Sequence, residues 1–504
     1  MRTNWQTFPV SFQGGLITNL GLIEHGSQFP GSAKKLINFE PSIGGGYRKI
    51  LGYRKWIETV VPGSGTIQAV CSVPPNIAIT ARGSSYYFTE DQENWSSAFN
   101  VTDPITNKVR HTTYNFGQGD TVVFVDGVND PVYFDVATTT FSSPSAHADI
   151  TGSSFVAAFA DRLFFAKGPL LTYSNLLSDS GFDPALGAGT IKVKSDITGL
   201  IVFRDTLIIF GEDCIDKLSG TSPSDFVVSA ITRKTGCSWP DSIQEVGGDI
   251  LYKAADGVRY LSATEKNDDF ALERASESIQ TEINSLFVDS NSVCSTVIRG
   301  KAQYRLFYHD PSGGATLSQG FFGTRFQDQS ASGVAWSTIT GINVYVADSK
   351  QKDSEEIILF SDGLNYIYQM EWGFSFDGEP IFCQYQTPFL IFDDPRVRKT
   401  FYKHHCYTET TGNVWIETKL ILDFDDPNII QPPSGGIGEV VEDGASYGTA
   451  VYGTAIYKPP VRTQLSENLV GSGFSASLMY TDNSDSPSFT LSSMVLEYRQ
   501  NDKK

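Results

Sequence analysis

"TVVFVDGVNDPVYFD", residues 121–135, sets an apolar run against an Asp-Gly pair and then a second run rich in aromatics. β-Branched and aromatic residues on both sides of a turn dipeptide are a hairpin signature. The phrase recurs. It returns as "NIAITARGSSYYFTED" from Asn76, "DRLFFAKGPLLTYSN" from Asp161, "DTLIIFGEDCIDKLSG" from Asp205, "DILYKAADGVRYLSA" from Asp249, "QYRLFYHDPSGG" from Gln303 and "EIILFSDGLNYIYQM" from Glu356. Successive starts lie 45, 40, 44, 44, 54 and 53 residues apart.

A hairpin at that period, with more strand-like sequence between copies, is the pattern of a β-propeller. Each small sheet cannot cover its own faces, so radial packing buries them against neighbours and leaves only short edges. The reading is therefore mainly β, with a six- or seven-bladed β-propeller over residues 65–378. Strands such as "TLIIF" and "IILF" are apolar throughout, as strands covered on both faces are. Stacked β-sandwiches are the competing arrangement for this spacing. One stretch breaks the rhythm: "DDFALERASESIQTEINSLF" (268–287) places Phe270, Leu272, Ile279, Ile283 and Leu286 on one helical face.

The ends read differently. Residues 1–64 are glycine-rich and form an extended N-terminal segment, suited to platform or inter-subunit contacts. Residues 379–504 contain strand runs without the propeller period and read as a C-terminal β-sandwich-like domain. A long loop over 426–460 carries Gly-Gly, Pro-Pro and a Tyr-Gly-Thr-Ala repeat.

Charge limits the function. The net charge is −19, from 57 acidic and 38 basic residues. A protein that grips DNA by its phosphates should be basic, so this chain repels DNA on average. Asp423, Asp425, Asp426, Glu439, Glu442 and Asp443 cluster without an intervening base, either as a solvated acidic loop or as the lining of a channel. Basic residues group at Arg48, Lys49, Arg54 and Lys55, and again at Arg396, Arg398 and Lys399; these are candidate subunit or adaptor contacts. The six cysteines are scattered with no Cys-x-x-Cys pair, which reads as reduced, partly buried thiols. The N-terminus lacks the apolar core of a signal peptide, and no apolar run approaches the ~20 residues that span a bilayer. The expectation is a chain made in a cytoplasm with no membrane-spanning segment.

Catalytic motifs fail on context. "GASYG" (444–448) matches the nucleophile-elbow pattern, but no histidine follows Ser446 and no strand-to-helix turn surrounds it. In "KHHC" (403–406), His404 and His405 alternate faces of a strand, so they do not share one metal. "TEDQENW" (89–95) faintly echoes the Asp-box of propeller sialidases, yet Glu93 stands where that turn needs Gly. No arginine cluster for a substrate carboxylate and no acid pair at informative spacing is present. The expectation is no enzyme, no metal and no cofactor.

Four stretches resemble the tail hub, or nozzle, proteins of short-tailed bacteriophages, including those called packaged-DNA stabilisation proteins. They are the N-terminal "FQGGLITN…LINFEPSIGGGYRKILGYRKW"; "DRLFFAKGPLLTYSNLLSDSGFD" followed by "ITGLIVFRDTLIIFGEDCIDKLSG"; "DGVRYLSA…SESIQTEI"; and the Tyr-Gly-Thr-Ala loop. The resemblance implies a structural virion protein, assembled in the host cytoplasm. It would form a homohexameric ring below the portal and head-to-tail adaptor, contact a tail fibre or tailspike, retain packaged DNA, and conduct double-stranded DNA without binding it specifically. The rival readings are a propeller that binds carbohydrate at a cell surface, such as a receptor-binding tail component, and a propeller enzyme acting on glycans. Glycan binders usually display exposed Trp clusters, and the 7 Trp here are dispersed.

Overall fold

Asp126 makes the turn that the opening phrase requires. Its Oδ1 accepts the backbone N–H groups of Val128 and Asn129 at 2.8 and 2.7 Å, and Gly127 adopts φ 79°. The computed structural model describes residues 5–42, 44–143, 147–261, 274–286, 290–308, 319–327, 332–352, 355–439 and 461–501.

Six of the seven phrases supply the second and third strands of an antiparallel set, and the phrase from Gln303 supplies the second strand alone; sets VI and VII below belong to one larger sheet. Sheet I comprises Ile67–Val73, Ile77–Arg82, Ser85–Thr89 and Phe99–Asn100. Sheet II comprises Arg110–Tyr114, Thr121–Val125, Val132–Asp135 and Thr140–Ser142. Sheet III comprises Phe155–Phe159, Arg162–Lys167, Leu170–Tyr173 and Gly189–Lys192. Sheet IV comprises Ile197–Phe203, Thr206–Gly211, Ile215–Ser219 and Val227–Thr232. Sheet V has three described strands, Gln244–Val246, Asp249–Ala254 and Gly257–Tyr260. Sheet VI comprises Val293–Ile298, Gln303–Tyr308, Gln319–Gln327 and Ser332–Ile339. Sheet VII comprises Val346–Lys352, Glu355–Ser361 and Ile367–Met370.

The apolar cores lie between neighbouring sheets. Ile79 meets Phe124 between I and II, and Val123 meets Phe165 between II and III. Phe164 meets Ile209 between III and IV, and Phe210 meets Tyr252 between IV and V. Leu251, Leu306 and Phe360 share a cluster that joins V, VI and VII. Leu359 then packs with Ile67 and Val70, so VII returns to I. The body is mainly β and propeller-like. Alternate side chains of one strand enter different cores, which is why the second strands read as apolar on both faces.

The described part of residues 1–64 is more ordered into sheets than an extended strap. Tyr53–Lys55 adds a fourth strand to sheet VII by pairing antiparallel with Ile367–Met370. At the approach to this strand, a Cβ on Gly52 would sit 1.8 Å from the Ser375 carbonyl oxygen, so the position has room only for glycine. Lys35–Ile37 pairs with Glu379–Gln386 and touches Ser332–Ile339, linking sheets VI and VII into a continuous sheet. Gln6–Ser11 and Tyr47–Lys49 both pair with the C-terminal strand Phe489–Gln500.

Beyond sheet VII, two sheets face each other. One orders Phe39–Pro41, Tyr47–Lys49, Phe489–Gln500, Lys399–Thr410 and Val461–Gly473. The other brings Val414–Leu422 and Glu379–Gln386 to either side of Ser475–Ser484, with Gly435–Glu439 on the outside of Val414–Leu422. Phe12, Tyr47, Tyr385 and Tyr480 pack between them, with Tyr385 4.9 Å from Tyr47 and 5.8 Å from Tyr480 between ring centroids. All six cysteines are buried and free. In the helical interruption, the described part is a turn, Glu277–Ile279, and a short helix, Gln280–Asn284, with Ile279 and Ile283 buried; Phe270 and Leu272 lie outside the described residues.

Lys49 does not reach the surface, against the expectation that it contacts a partner. Its side chain is 0% exposed, and its Nζ lies 2.6 Å from Asp482 Oδ2 and 2.7 Å from the Ser484 carbonyl. Lys399 is likewise buried, with its ammonium donating to the Asp394 carbonyl at 2.6 Å. Removing one partner of a buried pair leaves an uncompensated charge, whereas removing both does not. Lys49→Met is therefore expected to lower unfolding free energy by about 3–5 kcal/mol in urea denaturation, and Lys49→Met with Asp482→Leu to recover most of the loss.

Candidate functional site

The first strand of every sheet in the ring faces a common cavity of about 400 Å³. Val70 contributes from sheet I, Arg110 and His111 from II, Phe155 from III, Gly199 from IV, Gln244 from V, Cys294 from VI and Asp348 from VII. Convergent polar groups in such a central cavity are the default binding-site candidate. Lys108 and Asp241 also line it, from the segments before sheets II and V.

Most charged groups of this wall are paired; Lys350, which also lines it, donates to Thr113 Oγ1 at 3.4 Å. The Arg110 guanidinium donates to both Asp241 oxygens, at 2.9 and 3.1 Å, and lies over the Phe155 ring at 4.5 Å. Lys108 Nζ donates to the Val293 carbonyl at 2.6 Å and sits 4.7 Å from the Tyr345 ring centroid. Arg299 donates to Ser349 Oγ at 2.7 Å and approaches Glu356.

On one side of the cavity, Cys71, His111 and Asp348 come together. One potential ligand atom from each falls within 4.8 Å of the others. His111 Nε2 is 3.6 Å from Asp348 Oδ2, which also accepts the Ser72 backbone N–H at 2.8 Å. Burial opposes charge on His111, but the Cys71 sulfur and then the Asp348 carboxylate outweigh it and raise the imidazole to about 10. Burial pushes Asp348 up, and His111 more than offsets this, bringing it to about 2. Cys71 itself is wholly buried, against Ile79 and Phe124. No motif announced these three residues, because they stand on three different sheets. The available signal was polar residues on first strands that are otherwise apolar.

The residues singled out in the sequence lie elsewhere. Asp423 is structural: its Oδ1 accepts the backbone N–H groups of Phe474 and Ser475 at 2.5 and 3.1 Å, fixing the turn between two long strands. Asp425 is exposed, and Asp426 accepts from Asn428 at 2.8 Å. Glu439 ends the strand Gly435–Glu439; Glu442, Asp443 and the "GASYG" motif lie outside the described residues. Arg48 binds the buried Glu40 at 2.5 Å. Arg54 lies 3.5 Å over the Trp372 ring, and Lys55 is near Glu58 and Asp377 at 3.6 and 3.5 Å. Arg396 and Arg398 are exposed, with Arg396 bound only to the neighbouring Asp394 among the contacts described. The two adjacent histidines do point apart: His404 is buried beside Tyr480, and His405 bridges Glu497 and Gln464. In "TEDQENW", Asp91 accepts the backbone N–H groups of Glu93 and Asn94, which makes a local turn on sheet I.

No protein-family model matches the chain, and no curated protein matches it. Among solved structures, the chain is similar to the extracellular domain of a one-component system from B. thetaiotaomicron, at 10% identity and a TM-score of 0.41. That alignment covers 64% of this chain, which spans only 40% of the other. It is also similar to BBS1N in complex with ARL6DN, at 12% identity and a TM-score of 0.29, over 60% of this chain and 77% of that one.

His404 gives the two facing sheets a pH signature. Burial, then the neighbouring His405, lower its pKa to about 4, against about 6.5 in an unfolded chain. Only the unfolded state takes up the proton between those values. The His404 contribution to stability is therefore level above pH 6.5, falls as pH drops from 6.5 to about 4, and is lost below that, a total of roughly 3 kcal/mol. Denaturation across pH 4–8 should show the wild type losing ground on acidification relative to His404→Phe, with no change in their difference above pH 7.

Proposed function

We propose that this chain is a structural subunit of a bacteriophage tail: the hub or nozzle that surrounds the DNA path below the head. Its finer architecture is read as a seven-bladed propeller whose last blade is completed by Tyr53–Lys55, joined to a β-sandwich platform built from both chain ends. Six copies would form a ring on the head-to-tail adaptor.

The observation that carries the proposal is a net charge of −19 on a body whose last sheets and facing sheets share one continuous apolar core. A conduit for DNA must be stiff and must not hold its cargo. DNA carries about one charge per 1.7 Å of axis, and at physiological salt a wall acts across roughly 8 Å. A negative wall keeps the duplex from sticking, and a shared core resists shear between blades and platform. The order of the four sequence stretches supports the same reading. Cyclic symmetry would repeat each exposed cation, Arg396 and Arg398 among them, at every subunit boundary.

Sedimentation velocity of the purified chain, alone and with tail-less virion cores, tests the assembly. The expected result is a ring of six copies formed on the cores. A stable dimer indifferent to the cores would end the proposal. The channel lining is tested by Asp425→Lys combined with Glu442→Lys and Asp443→Lys, which spares the structural Asp423. Assembly should proceed, and DNA ejection from reconstituted particles should slow, most at low salt because phosphate contacts weaken steeply as salt rises. Ejection kinetics equal to wild type would remove these acids from the DNA path.

A further inference from the structure

Cys71, His111 and Asp348 stand on the first strands of sheets I, II and VII, three consecutive members of the ring. We propose that they form a binding site for a divalent transition metal of the zinc class, open toward the central cavity. The proposal is independent of the tail assembly.

The donor set fits. A thiolate, an imidazole and a carboxylate are the ligand types zinc takes, with bonds of about 2.0–2.3 Å. Two such ligands on one tetrahedral ion stand about 3.4 Å apart. The His111 Nε2 to Asp348 Oδ2 separation is 3.6 Å. That exceeds the ~2.7–3.2 Å of a good N–H···O bond and lies near the tetrahedral edge. The full group, within 4.8 Å, needs only a small closing movement of side chains to bind one ion.

The charge also fits. A Cys71 thiolate and an Asp348 carboxylate together neutralise a dication, so the loaded site would place no net charge among apolar neighbours. Neighbouring groups hold the ligands in place, as the outer contacts of metal sites do. The Ser72 N–H holds Asp348 at 2.8 Å, and the His111 ring sits 5.6 Å from that of Phe124. Three protein ligands leave a fourth position free. His111 and Asp348 both line the cavity while Cys71 is wholly buried, so that position faces the cavity.

Full-length protein stripped with a chelator and titrated with Co²⁺ tests the site. One Co²⁺ per chain should bind, with a thiolate-to-cobalt charge-transfer absorption that Zn²⁺ displaces. Cys71→Ser should abolish that absorption, while Cys406→Ser, in the facing sheets, should keep it. Asp348→Asn, at a side chain 13% exposed, should fold by circular dichroism and bind Co²⁺ at least about tenfold more weakly. If Cys71→Ser does not fold, Asp348→Asn and His111→Gln carry the comparison. No binding to the wild type, binding without the thiolate absorption, or unchanged affinity in Asp348→Asn would overturn the proposal.

Discussion

The Glu40 carboxylate sits where three parts of the chain meet. It is 1% exposed, and burial by itself pushes its pKa up. Lys301 from the turn of sheet VI lies 2.8 Å away, Arg48 from the neighbouring N-terminal strand 2.5 Å, and Arg305 from sheet VI 3.7 Å. These cations hold the carboxyl down at about 2. Lys301 and Arg305 also bind Glu371, at the end of sheet VII. One buried cluster thus fixes the strand Phe39–Pro41 against both sheets that close the ring. Asn38, beside it at φ 53°, donates to the carbonyls of Thr340 and Phe382 at 2.9 and 2.8 Å. Ring and facing sheets are held in one register by these few polar contacts, because an unmet partner in such a cluster is costly.

Legibility in the sequence followed the range of the interactions. The second-to-third-strand hairpins are local, and most carried their own signal of apolar strand, turn residue and aromatic strand, although the return strand Ile215–Ser219 has no aromatic. The turn at Asp126 could be read because Asp and Gly act on residues two and three positions away. The N-terminal strands could not be read. Tyr53–Lys55 and Lys35–Ile37 have three residues each, too few for a period, and their partners lie more than 300 positions distant. Their glycine-rich setting described how the backbone passes close to other strands, and it masked the pairing itself.

The candidate site shows the same limit. Cys71, His111 and Asp348 are separated by 40 and 237 positions, and only ring closure makes them neighbours. The basic groups near Arg48 illustrate the converse error. Clustered charge in sequence reads as surface, yet Lys49 and Lys399 turn inward to satisfy a carboxylate and carbonyl groups. What distinguishes them from exposed Arg396 is the partner each finds on a distant strand, which composition does not encode.

The strand Tyr53–Lys55 is synthesised well before its partner Ile367–Met370. Arg54 and Gln369, which hydrogen-bond at 3.1 Å, are 315 positions apart. At ~5–20 residues per second of synthesis, the first waits roughly 15–60 s for the second. During that interval the early sheets stand as an open arc with an uncovered first face and an unpaired edge. A chain in that state presents an apolar face and a free strand edge, the features through which copies can exchange a closing strand.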